Sequence, residues 1–534
     1  MVGGARDRSV TFFTDAQRNL VIYPGDPGVL EQYIPDLKRL NGSYFCVPKT
    51  LPNLQVLRYY NFEVPEVMTD YDFPIAPPFK PLPHQKVMAN FSVLHRRMFN
   101  LSDMGTMKTL STLWAADYLM RQHPKGEFRA LIVAPLSTLD RVWASAIHKH
   151  FLGNRTFEIL HGTPQQRSAA LGRDADFYII NFDGVGTGAH TRKTFSLDGF
   201  SAELRDRADV RLCIVDEASA YKDSTTKRHR IARDVLGRRE YLWLLTGTPT
   251  PNAPTDAYGL AKLVNNAYGK SKTSFKLETM FQVSNFVWKP KADGYEKAAK
   301  LLSPSIRYDL HDVWDGPECV TQQRAVELTP DQKKMMGDLK KNLQVEMKSG
   351  AAISAVNEAA ARQKFIQISL GAVYDHEHKV HLSDAKPRIA ALNEVLDEAP
   401  GKFLVFAPLT SVVNLLAKEL KARGVEVVNG DVSQKDRTRI FGAFQEGDLQ
   451  GIVADPGTMA HGLDLWMART VIWYGTTDKA ELYAQANRRA HRPGQKYPVS
   501  VVQIVSNPLE IEIFRRLENN LSLQGSLLTI IQSS

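Results

Sequence analysis

The spacing of apolar and polar positions changes character twice along the chain. In residues 1–80 the apolar positions come in short pieces. Val10-Thr11-Phe12-Phe13 and Leu20-Val21-Ile22-Tyr23 read as strands. Leu30, Tyr33, Ile34 and Leu37 recur at helical spacing and predict a helix from Pro27 to Leu40. Tyr44-Phe45-Cys46-Val47 reads as a further strand, and Leu51 to Tyr60 as a second helix. Pro65, Pro74, Pro77, Pro78, Pro81 and Pro83 then predict an extended connector.

From His84 to about Asn266 the pattern is different. Continuous apolar runs (Ala130–Ala134, Phe177–Ile180, Leu212–Val215, Tyr241–Leu245) alternate with helical periods. Strands without polar alternation belong to a parallel sheet covered on both faces. A second series follows at Phe403–Phe406, Gly451–Ala454, Val471–Tyr474 and Val501–Val505. The expectation is therefore α/β, with two parallel-sheet lobes. Residues 270–390 read as more helical and irregular. There Thr329-Pro330-Asp331-Gln332 is a helix start with a threonine cap, a proline in the first turn and a glutamine at the third position, and Lys334 to Ile368 continues as helix. No internal repeat or low-complexity tract interrupts the chain.

Composition narrows the class. The 534 residues are 43% hydrophobic and 23% charged, as in a globular protein, and no apolar run approaches the roughly 20 residues that span a bilayer. The N-terminal residues lack the apolar core of a signal peptide. Cys46, Cys213 and Cys319 stand far apart, with neither metal spacing nor a disulfide framework, which fits a reducing compartment. The net charge of +9 favours a polyanionic partner.

Four motifs carry candidate chemistry. Asp103-Met104-Gly105-Thr106-Met107-Lys108-Thr109 opens an amphipathic helix with Leu110, Trp114 and Tyr118. Backbone N–H groups at such a loop and helix N-terminus hold phosphates. Lys108 would reach the β/γ-phosphates, and Thr109 would ligate magnesium. Met107 stands where glycine usually precedes the lysine. If that position needs a positive φ, methionine there is strained. Taken alone, the stretch is equally a Gly-containing turn before a helix.

Asp216-Glu217 ends an apolar strand, where parallel sheets place their sites. Asp216 would hold magnesium and Glu217 would orient or deprotonate a water. Thr246-Gly247-Thr248-Pro249 follows the next strand with small residues that permit close approach. Near the C-terminus, Gln485, Arg489 and Arg492 fall on a predicted helix, with Arg492 placed as an arginine finger, a device worth about 10³–10⁵ in rate. Phosphoryl transfer is catalysed mainly by positioning and charge neutralisation, so these parts must converge on one phosphate. Two other patterns lead elsewhere: His376, His378 and His381 are better read as an exposed polar turn than a metal site, and Gly184–Gly188 as a flexible loop rather than a dinucleotide fingerprint.

The ordered set resembles the Swi/Snf-like ATPases of helicase superfamily 2 over about residues 80–520. Pro83-His84-Gln85 is similar to the family's glutamine motif, Leu131–Leu136 with Trp143 to the next motif, and Gln485 through Gln495 to its arginine-histidine-arginine-glycine-glutamine signature. Asp216-Glu217-Ala218-Ser219 has serine where relatives often have histidine. His161-Gly162 and Asn181-Phe182 fall where lobe-1 DNA contacts are expected, and Gly462-Leu463-Asp464-Leu465 resembles a segment contacting DNA and nucleotide.

The resemblance implies two tandem RecA-like lobes with helical insertions and a small α+β N-terminal module. Its division would be 1–80 accessory and DNA-binding, 81–270 lobe 1, 271–390 insertion, and 391–534 lobe 2. It implies ATP and Mg2+, with Lys108, Asp216, Glu217, Arg489 and Arg492 catalytic. Gln85, Asp103, Gly105, Thr106, Met107, Lys108, Thr109, Gly462, Asp464 and Gln485 would hold nucleotide, and Thr109 and Asp216 the metal. Duplex DNA, gripped through its phosphates, is the expected partner. A compact bacterial or phage-type member, acting in the cytoplasm of a bacterial or infected cell, is expected. A strand-separating DNA or RNA helicase, and a DNA-binding scaffold with an impaired ATPase, remain the alternatives.

Overall fold

The computed structural model describes residues 12–40, 43–186, 189–190, 195–197, 199–284, 287–348, 355–374, 379–459 and 465–519. The chain passes from one compact unit to a second at Asp309–Leu310.

The first unit begins with a four-stranded antiparallel sheet. Its strands are β1 (Phe13–Asp15), β2 (Leu20–Pro24), β3 (Lys38–Leu40) and β4 (Tyr44–Pro48), in the order β1-β2-β4-β3. Helix α1 (Leu51–Tyr59) packs on it through Leu54 and Leu57. The helix expected over Pro27–Leu40 does not form. A 3-10 turn at Gly28–Gln32 is followed by the edge strand β3, paired with β4. Pro35 accounts for this, because it removes an N–H from the helix interior and biases Ile34 away from helical angles. Leu30 and Ile34 are buried while Tyr33 is exposed, so the apparent helical stripe does not face one core.

The main sheet of this unit has seven strands: β5 (Arg97–Asn100), β6 (Arg129–Ala134), β7 (Phe157–Ile159), β8 (Phe177–Asn181), β9 (Val210–Asp216), β10 (Tyr241–Leu245) and β11 (Ser305–Ile306). They run parallel in the order β11-β5-β10-β9-β6-β8-β7. Successive side chains point to opposite faces. Leu131, Val133, Cys213, Val215, Leu242 and Leu244 therefore join one buried cluster, and Ala130, Ile132, Leu212, Ile214, Tyr241 and Trp243 the other. Both faces are covered, which is why these strands read as unbroken apolar runs. Helix α2 (Pro83–Leu94) leads into β5, and α3 (Lys108–Arg121) leaves it. The indole of Trp114 on α3 donates to the Pro74 carbonyl at 2.8 Å and ties down the proline connector.

The second unit carries β12 (Cys319–Ala325), β13 (Lys402–Phe406), β14 (Val425–Val428), β15 (Gly451–Ala454), β16 (Ala468–Trp473) and β17 (Val499–Val505). All are parallel, in the order β12-β17-β16-β13-β15-β14. Its helices include α4 (Pro330–Lys348), α5 (Ala355–Leu370), α6 (Lys386–Glu398) and α7 (Ala480–Ala490). The start of α4 is the capping box that its sequence predicts. Gln332 N donates to Thr329 Oγ1 at 3.3 Å, and Thr329 N to Gln332 Oε1 at 3.0 Å. The segment expected as an insertion, 271–390, supplies β11 to the first sheet and β12 to the second.

Candidate nucleotide site

Four of the parallel strands, β5, β10, β9 and β6, lie side by side, and the candidate motifs leave three of their C-terminal ends. After β5 the chain runs through Leu101–Thr106 into α3. Gly105 takes φ +88°, and Met107, the residue capping α3, takes φ 60° and ψ 36°. Left-handed angles cost a side-chain-bearing residue about 1–2 kcal/mol, so the strain foreseen for methionine is present. Glu217 takes a second left-handed conformation, at φ 50° and ψ 50°.

Lys108 turns back on its own loop. Its Nζ donates to the carbonyls of Ser102 at 2.7 Å and Asp103 at 2.8 Å. Burial pushes its ammonium pKa down, while Glu217, Asp216 and Asp103 pull it back up, in that order. Lys108, Asp103, Asp216 and Glu217 are thus electrostatic neighbours, although more than 100 residues separate the lysine from the acid pair. Asp216 is held on both oxygens: Oδ2 accepts from the Trp143 indole at 3.0 Å and Oδ1 from the Glu217 N–H at 3.0 Å. Gly247, after β10, runs under the loop, where a Cβ would meet Met104 N at 3.4 Å and Ser102 O at 3.5 Å.

Gln85 and His84 join α2 to the same loop. Gln85 is buried; its Oε1 accepts from Leu82 N–H at 3.1 Å and its Nε2 donates to Met107 O at 3.5 Å. His84 Nε2 donates to Thr106 O at 3.2 Å, and burial lowers its pKa. Thr106 is buried and its hydroxyl donates to Asp103 O at 2.8 Å. Thr109 stands in the first turn of α3, next to Lys108.

Gln485 and Arg489 are buried along α7 in the second unit, and Arg492 follows the helix, half-buried. Gly462 and Asp464 lie outside the described residues. The signature around α7 is built as a fold element. His491 Nε2 donates to the Pro317 carbonyl at 2.7 Å and its Nδ1 faces Arg488 at 3.3 Å. This pattern suits a neutral imidazole protonated at Nε2, and burial lowers the ring's pKa. Gln495 is buried and satisfied: Nε2 donates to Trp466 O at 2.7 Å and Ala468 O at 2.8 Å, while Oε1 accepts from Lys496 N and Tyr497 N.

Arg307 escapes the motif reading: it lies beside the loop before α3 and is announced by no more than a two-residue strand. Trp143 and Gln495 belong to the resemblance, but their tasks, holding Asp216 and stapling the chain after α7 to Trp466 and Ala468, are not legible from residue type. The Gly184–Gly188 pattern is also clearer: Val185 is buried, and a Cβ on Gly186 would strike Ser201 Oγ, so close packing explains the glycines that are described. His376 and His378 lie outside the described residues, and His381 is exposed. Among the described residues no three His, Cys, Asp or Glu gather as a metal cage, and no helix is long and apolar enough to cross a membrane.

Two parallel sheets in succession, the first with a buried lysine and an acid pair at its strand ends, define a two-sheet α/β class. The SNF2-related domain matches residues 89–377 and the helicase conserved C-terminal domain residues 387–494. The chain belongs to the SNF2-related family, among the ATPases of helicase superfamily 2.

Its relatives include the putative protein p41 of Acyrthosiphon pisum secondary endosymbiont phage 1, 24% identical over 84% of this chain and 98% of that protein. Another is the Xenopus laevis SWI/SNF-related matrix-associated actin-dependent regulator of chromatin subfamily A-like protein 1, 23% identical over 80% of this chain. This chain spans only 42% of the frog protein's length. The Sulfolobus solfataricus SWI2/SNF2 ATPase core in complex with dsDNA is similar at 21% identity, over 86% of this chain and 96% of that one, with a TM-score of 0.38.

Proposed function

We propose that the protein is an ATP-dependent translocase on double-stranded DNA. The observation that carries the reading is the gathering of Lys108, Asp103, Asp216 and Glu217 at the C-terminal ends of β5 and β9, parallel strands with β10 between them, in a chain of the SNF2-related family. On this reading Gly105–Thr109 receives the phosphates of ATP. Lys108 leaves the Ser102 and Asp103 carbonyls to face the β/γ-phosphates, and Glu217 orients the attacking water.

The donor set suits magnesium, which is held through one or two carboxylates plus substrate phosphates rather than by a protein cage. Thr109 and Asp216 would hold it, and when bound it neutralises charge on the transferring phosphoryl group. Trp143 keeps the Asp216 carboxylate oriented for that task. Gln85 secures the loop from the α2 side. Arg489 and Arg492 would meet the γ-phosphate. Gln485, Gly462 and Asp464 would line the nucleotide. Residues 1–80 would form an accessory DNA-binding module, 81–270 and 391–534 the bulk of the two motor lobes, and 271–390 the insertion that also adds β11 to the first sheet and β12 to the second. The net charge of +9 suits a duplex gripped through its phosphates, in the cytoplasm of a bacterial or infected cell.

Steady-state ATPase assays on the full chain test the reading, without nucleic acid and with duplex DNA, single-stranded DNA or RNA. Duplex DNA is expected to stimulate turnover most. Lys108→Ala and Glu217→Gln are each expected to lower the stimulated rate by about 10²–10³-fold. Stimulation by single strands or RNA alone would move the assignment to a strand-separating helicase. Duplex binding without turnover would leave a scaffold.

A further inference from the structure

The loop from Leu101 to Thr109 has one more neighbour, Arg307. Arg307 is buried, 8% exposed, at the end of the short strand β11. Its Nη1 donates to Leu101 O at 2.8 Å and to Asp103 Oδ1 at 3.0 Å, and its Nη2 pairs with Asp309. The backbone beside it is stitched to the same three residues. Leu101 N donates to Ile306 O at 2.8 Å, Asp103 N to Tyr308 O at 2.9 Å, and Tyr308 N to Ser102 Oγ at 3.1 Å. His84, which reaches Thr106 O in the loop, lies 5.6 Å from the Tyr308 ring, centre to centre.

The stretch Leu101–Asp103 is thus clamped from two sides. Lys108 holds its carbonyls at Ser102 and Asp103, and Arg307 with Tyr308 holds Leu101 O, the Asp103 carboxylate and the Asp103 N–H. Two residues after Arg307 the chain leaves the first unit, at Asp309–Leu310.

We propose that Arg307 is a positioning residue that makes the state of the phosphate loop felt in the segment by which the chain leaves the first unit. This rests on the reading that Gly105–Thr109 takes nucleotide phosphates. When Lys108 turns to a phosphate it releases the Ser102 and Asp103 carbonyls. Thr106 stays on the Asp103 carbonyl, and Leu101 O, the Asp103 carboxylate and the Leu101 and Asp103 N–H groups stay bonded to 306–308, so adjustment of the stretch is passed to Ile306, Arg307 and Tyr308. A planar guanidinium can bridge a carbonyl and a carboxylate at once, whereas an ammonium is a single point charge.

Hydrogen exchange on the full chain, with and without magnesium and a non-hydrolysable ATP analogue, reads this directly. In the unsubstituted protein, protection is expected to rise in peptides covering 101–109 and in those covering 304–313. In Arg307→Ala the first rise should persist and the second should fall by at least about fivefold, with Arg307→Lys between the two. The KM for ATP should stay within about threefold while the DNA-stimulated kcat falls about tenfold. Asp309→Asn, which keeps an acceptor for Arg307 and lies outside the nucleotide-holding residues, guards against a variant that only unfolds, and should retain most of the response at 304–313. Equal protection at 304–313 in Arg307→Ala, or none in the unsubstituted protein, overturns the proposal. If Lys108→Ala binds the analogue as tightly as the unsubstituted protein, the phosphate-loop reading itself fails, and the proposal with it.

Discussion

Met107 is the residue where local chemistry and site geometry conflict most. A methionine at φ 60° is strained, and 41% of its surface is exposed, so its side chain gains little from burial in return. Its carbonyl is well used, accepting from Ser111 Oγ at 3.1 Å and from Gln85. The backbone conformation is therefore imposed by the loop, and the side chain tolerates it. Met107→Gly is expected to stabilise the first unit by about 1 kcal/mol, offset in part by the freer unfolded chain, without reducing nucleotide affinity. Met107→Val, β-branched at the same angles, should destabilise it. Denaturant unfolding followed through first-unit tryptophans measures both. The strain at Met107 is legible from the sequence alone, because glycine usually precedes the lysine in the loop pattern that Lys108 matches. The roles of Trp143 and Arg307 were not, because their partners Asp216 and Asp103 are 73 and 204 residues away in the chain.

Among the elements, the buried apolar strands were the easiest to read. Ala130–Ala134 and Phe177–Ile180 are covered on both faces and declare themselves by composition alone. Short or edge strands were not legible. Arg97–Asn100 holds two apolar residues between polar ends, and Cys319–Ala325 is an exposed edge whose polar residues need only a backbone partner. The phosphate loop follows the first of these, so the motif was visible before the strand that carries it.

Helix α6 shows what holds an element once pattern has placed it. Arg388 on α6 donates through Nε to Tyr474 O at 2.9 Å and through Nη2 to Ile504 O at 2.6 Å. It pairs with Glu510 at 2.9 Å, and both side chains are almost wholly buried. Removing one member of such a pair strands the other charge away from water. Arg388→Met is expected to cost the second unit about 3–5 kcal/mol, and the double change Arg388→Met with Glu510→Leu distinctly less. A full denaturant-unfolding cycle over the two sites checks this. Equal losses in the single and double variants would mean that the hydrogen bonds to Tyr474 and Ile504, and not the charge pair, carry the effect.

At the scale of the whole molecule, the family and the two parallel sheets follow from patterns spread over hundreds of residues, which is why they were legible. The division of labour within 271–390 was not. Its residues are split between two sheets, and neither strand announces that: β11 is two residues long, and β12, though seven, is mostly polar and exposed. On the proposed reading the protein moves along duplex DNA and leaves its strands paired. Displacement of a labelled third strand from a DNA triplex tests that claim most directly, run beside unwinding of a forked duplex. The account predicts ATP-dependent release of the third strand, abolished in Glu217→Gln, with the fork left paired. Hydrolysis stimulated by duplex DNA but no third-strand release, or ready unwinding of the fork, would contradict it.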